Sequence, residues 1–200
     1  MKNRNGLLQL ISERKWDEIV KKFTIDEICQ FLSFKEITAL AYDLFFENFR
    51  DDDEIPDYAV RLFFSIKNHY SSEWNSDWKN DAFLGKLCSI TWRYDEMYQC
   101  FKEAYDKLSD PPDSLLLLLA KCNSVPEEPP ITAKESEEYL IRALAKKLTY
   151  EAALRMRALS REKNEKEQEE YWDRMCDDLE KRNVHTETII PDVLSSQNRR

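Results

Sequence analysis

The sequence predicts an all-α protein, and three observations carry that expectation. Glycine occurs only twice in 200 residues, so few positions can take positive φ at low cost. That argues against hairpin-rich sheets and against glycine-rich phosphate loops. Apolar residues recur at spacings of three and four along most of the chain, the period of a helix with one buried face. Thr24/Glu27, Ser33/Glu36 and Thr132/Glu135 each place a hydroxyl three residues before a glutamate. This is the sequence signature of a helix N-terminal capping box. With 12% aromatic residues, such a chain can still bury a sizeable core.

The first helix is expected over Gly6–Arg14 with Leu7, Leu8, Leu10 and Ile11 inward, and the second carries Trp16, Ile19, Val20 and Phe23. Two capping boxes nine residues apart imply a short helix over Ile25–Leu32 and a longer one from Phe34 to about Phe49. Asp51 to Glu54 reads as a solvated linker that feeds acids into the N-terminal turn of the next helix. Its spacing lacks the pattern and glycine of a calcium loop. The helix from Pro56 to about Tyr70 is apolar almost all round (Val60, Leu62, Phe63, Phe64, Ile66), so it should be sandwiched between neighbours. Ser71 to Asn80 is a polar break carrying Trp74 and Trp78. These either pack the next helix or anchor a partner.

From Asp81 to Pro112 the pattern gives two amphipathic helices about a turn at Thr91–Arg93. Ser114 to Cys122 starts another helix, NSVPEEPP makes an extended break, and helices follow over Thr132–Leu148 and Tyr150–Ser160. Glu162 to about Arg182 reads as one long charged helix with Tyr171, Trp172, Met175, Cys176 and Leu179 on a stripe. Residues 184–200 lack helical period and are expected to form a disordered tail.

Within Asp81–Pro112, Leu84-Gly85, Cys88, Tyr94, Met97, Phe101, Ala104 and Pro111 or Pro112 follow in a set order and spacing. The segment resembles a tetratricopeptide repeat (TPR), a helix–turn–helix unit. Met97 is larger than the family's usual residue, the proline falls late, and Asp81 stands where the family carries tryptophan. The resemblance implies a short right-handed solenoid of about nine helices in one domain over residues 1–183, closed by the charged C-terminal helix. It also implies a concave groove lined by the first helix of each repeat. Groove-facing candidates are then Lys79, Lys86, Ser89 and Ile90, with Trp74 and Trp78 as anchors. The paired Lys and Asn of the family's carboxylate clamp are absent.

Charge narrows the partner. The net charge is −9, and residues 51–131 carry sixteen acids against eight bases. Nucleic-acid binders need a basic stripe, whereas a basic protein partner would be drawn to this surface. The five cysteines have no CxxC spacing and sit mostly in apolar patterns, which suits reduced thiols in the cytoplasm. No apolar run reaches membrane-spanning length. With only His69 and His185, no nucleophile–histidine or zinc signature is present. The expected function is a non-enzymatic protein-binding module without cofactor or metal. A narrower form of it is an inhibitor or immunity protein for a basic toxin. A helical enzyme with a carboxylate-based site is the alternative.

Overall fold

The computed structural model describes residues 3–48, 54–126 and 128–194, and every regular element among them is helical. Among the described residues there are twelve α-helices rather than about nine. The one helix with no counterpart among the segments read as helical is short, Ser71–Asn75, and occupies the stretch read as a polar break. The chain forms two compact units, Met1–Trp92 with Ile190–Arg200, and Arg93–Ile189.

The first unit begins with α1 (Arg4–Ser12), α2 (Trp16–Lys22), α3 (Ile25–Phe31) and α4 (Phe34–Glu47). It continues with α5 (Glu54–His69), α6 (Ser71–Asn75) and α7 (Lys79–Ile90). Asn3 caps α1 by accepting from the Gly6 amide at 2.8 Å. The helix stops at Ser12 because Arg14 takes φ 52°. Both predicted capping boxes form, at Thr24/Glu27 for α3 and Ser33/Glu36 for α4. As its composition requires, α5 is the hub, packed against α2, α3, α4, α6 and α7. Its aromatic hydroxyls also serve its neighbours' ends. Tyr58 donates to the Phe23 carbonyl at 3.1 Å, and Tyr70 donates to the Cys29 and Leu32 carbonyls at 3.0 and 2.5 Å. These carbonyls lie where α2 and α3 run out of intrahelical donors. Burial pushes the Tyr58 hydroxyl up to about 12, so it remains a donor.

The second unit contains α8 (Tyr94–Asp106), α9 (Asp113–Lys121), α10 (Ala133–Lys146), α11 (Tyr150–Glu162) and α12 (Lys166–Lys181). A one-turn 3-10 helix, Cys122–Ser124, follows α9. The helices pair along the chain: α8 on α9, α9 on α10, α10 on α11, α11 on α12. One core cluster joins Leu117, Ala120, Leu140, Ala152 and Leu159. A second joins Ala153, Cys176 and Leu179, with Trp172 packed against it. The third capping box, Thr132/Glu135, opens α10.

This is helical-hairpin packing of a general repeat-like kind. The Asp81–Pro112 segment that carries the TPR resemblance is shared between the units, with α7 packing on α5 and α8 on α9. The long charged helix expected from Glu162 begins four residues later, at Lys166. Asn164 takes φ 59° and turns the chain between α11 and α12. A three-residue linker of the same form joins α1 to α2 at Arg14 and α7 to α8 at Trp92 (φ 62°). In the first and third, the amide after the left-handed residue bonds five residues back: Lys15 to Leu10, and Glu165 to Ser160. That is the Schellman closure, made here without glycine.

Residues 184–194 are held in place rather than free. In the second unit the Tyr150 amide donates to Val184 at 2.9 Å. The Thr186 amide and the His185 ring both meet the Glu151 carboxylate at 2.8 Å. Burial alone would raise Glu151's pKa, but the Thr186 amide and His185 outweigh it and the value falls. In the first unit a 3-10 turn, Asp192–Leu194, packs on α4. There the Asp192 amide donates to Asp77 at 2.9 Å and its carboxylate pairs with Lys79 at 2.6 Å. Leu194 is buried.

Candidate binding cleft

The residues proposed from sequence are not all open to a partner. Trp74 is 1% exposed. Its indole N–H donates to Asp81 at 2.8 Å, so it is a core residue that cannot reach a partner. Trp78 is half-buried at the start of α7. Lys79 is committed to Asp192, which raises its pKa through the hydrogen bond. Lys86 is half-buried, and only Ser89 and Ile90 are exposed. Around Trp74 lies a buried polar knot instead. Asp81 also pairs with Lys67 at 3.0 Å, and Asn80 donates to the Trp74 carbonyl at 2.9 Å.

A cleft of about 330 Å³ opens in the second unit, among α10, α11 and α12. That falls at the lower end of ligand-sized pockets. Its apolar lining comes from Met156 and Leu159 on α11 and Trp172 on α12. Met156 and Leu159 belong to one core cluster and Trp172 to the other, so the cleft lies where the two clusters part. Ser160, Lys163, Glu165 and Gln168 line it around the α11–α12 turn, and Glu137 enters from α10. The left-handed Asn164 sets this arrangement, because it reverses the chain between Lys163 and Glu165.

Electrostatically the cleft is unbalanced. Lys163 donates to Glu137 at 2.7 Å, and that bond holds the ammonium above its usual range. Glu165, exposed at the start of α12, is the second carboxylate of the cleft; it makes no hydrogen bond to a described residue, but its charge also acts on Lys163. Nearby but outside the lining, Arg155 is buried and donates to Asn123 at 2.8 Å and Glu162 at 3.2 Å. Its Nε has no acceptor.

Among the described residues no group of three or more His, Cys, Asp or Glu side chains could hold a metal ion. Asp51–Asp53 lie outside those residues. All five cysteines are free and buried, and burial raises the Cys122 thiol to about 12, which makes it a poor nucleophile. No helix among the described residues is long and apolar enough to cross a membrane.

Sequence reasoning missed the cleft because it placed the break between these helices at Arg161 rather than at Lys163–Glu165. The available signal was Trp172, a large aromatic on an otherwise charged helix. Comparison with family models, with curated proteins and with solved structures finds no match to this chain.

Proposed function

We propose that the protein is a non-enzymatic interaction module, a TPR-like stack of helical hairpins that holds a basic peptide or partner protein. The observation that supports this best is the cleft of the second unit. Two carboxylates share one ammonium there, Lys163 being hydrogen-bonded to Glu137 and acted on by Glu165, so one negative charge is in excess. An apolar floor beside unmatched negative charge suits a cationic side chain with a long hydrocarbon stem. The acid excess of residues 51–131 would steer such a partner inward. A basic toxin or nuclease held inactive is the partner class that fits most economically.

The test is fluorescence anisotropy with a labelled Arg/Lys-rich peptide and its Asp/Glu-rich counterpart. The basic peptide is expected to bind, losing about tenfold or more in affinity between ~0.05 and ~0.5 M salt as screening lengths shrink. The acidic peptide is expected not to bind. Equal binding of the two, or binding indifferent to salt, rules the reading out.

A further inference from the structure

We propose that the cleft among α10, α11 and α12 is a subsite for a single arginine side chain of the partner, a deepening that rests on the binding reading above. Four polar groups in the cleft have unmet hydrogen-bonding capacity within the chain. Ser160 is only 4% exposed, lines the cleft, and its hydroxyl makes no hydrogen bond to any described residue. Among the described residues the one buried side-chain atom without a partner is Arg155 Nε, so the Ser160 hydroxyl is open to the cleft, where a ligand would replace water as its partner. The Gln168 amide and the Trp172 indole N–H likewise make no hydrogen bond to a described residue, nor does the Glu165 carboxylate, which acts on Lys163 through its charge; Glu165 and Gln168 are exposed to water.

Three of these can accept hydrogen bonds and call for a donor-rich ligand. Glu165 adds a negative charge that selects a cation. An anion would meet two carboxylates, Glu137 and Glu165, set against the single Lys163 ammonium. Guanidinium fits better than ammonium on two grounds. Its planar donor fork matches a carboxylate bidentately, with a further N–H left for Ser160 or Gln168. Its flat face also stacks on an indole, and Trp172 forms one wall. Met156 and Leu159 supply the apolar floor over which the side-chain methylenes would lie. The remaining donor, the Trp172 N–H, needs an acceptor that guanidinium lacks. A peptide carbonyl supplies it, so arginine within a chain suits the site better than a free amine.

The experiment uses the full chain, ¹⁵N-labelled. Its probes are a short Gly/Ser-rich peptide with one central arginine and the same peptide with citrulline, which keeps the shape and removes the charge. The arginine peptide should move the Trp172 indole resonance and bind about tenfold more tightly than the citrulline peptide, the size expected of one cation–π and charge-assisted contact. Glu165→Gln should erase that difference. Glu165 caps α12 without a side-chain hydrogen bond, so this variant leaves the helix intact. Equal affinity of the two peptides, or an arginine preference unchanged in E165Q, overturns the subsite. If an arginine-rich peptide binds but leaves the Trp172 resonance unmoved, the subsite falls while the basic-partner reading stands. If no basic peptide binds at all, both fall.

Discussion

Asp81 is fully buried and accepts from Trp74 and Lys67 at 2.8 and 3.0 Å, tying α5, α6 and α7 together. A buried carboxylate is tolerable only where donors replace its water, and removing one member of such a set strands the others. Asp81→Ala should therefore destabilise the protein by about 3 kcal/mol or more. Urea unfolding checks this, and a loss below about 1 kcal/mol would mean that the knot is incidental. In sequence Asp81 was legible only as a departure from the repeat pattern, at a position where that family carries tryptophan. The indole that meets it comes from Trp74 instead, seven residues upstream on a helix that composition alone reads as a polar break. Local pattern cannot reveal a partner supplied by another element.

Helix beginnings at the capping boxes were readable to the residue, and helix ends to within about two residues. The three capping boxes stand where Ser or Thr precedes Glu by three, because that chemistry is local. The left-handed turns sit at Arg14, Trp92, Asn164 and Asn183, residues that give little or no stop signal, since glycine is the usual marker of such a turn. The cleft was lost with the turn at Asn164. The boxes also make stability depend on pH. In the second box the Ser33 amide, its hydroxyl and Arg4 together hold the Glu36 carboxyl below its ordinary value of 4.5. A depressed folded-state pKa adds stability above the ordinary value, and that contribution is lost as pH falls through the lowered one. Glu36→Ala should cost about 1 kcal/mol near neutral pH, and its gap from the wild type should close as the medium is taken below 4.5. Urea midpoints across that range decide it, and a gap that is constant with pH would assign the loss to packing.

At the scale of the molecule, all-α architecture and hairpin pairing followed from glycine scarcity and apolar period. The division into two units did not, because it depends on which distant residues meet. The first unit is discontinuous, taking Ile190–Arg200 from beyond the whole of the second. A fragment spanning residues 1–92 should unfold at lower urea than the same fragment supplied with a peptide of residues 188–200. Seating Leu194 alone should be worth about 2 kcal/mol, and an unchanged midpoint at saturating peptide would deny the segment any structural weight. The discontinuity also sets an order of events at the ribosome. Residues 190–194 emerge only after Arg93–Ile189 has been made, so at cellular elongation rates α4 and Lys79 wait roughly ten seconds for their last contacts. During that interval the nascent first unit presents an open apolar seat to chaperones, and it closes only when residues 190–194 have followed the second unit.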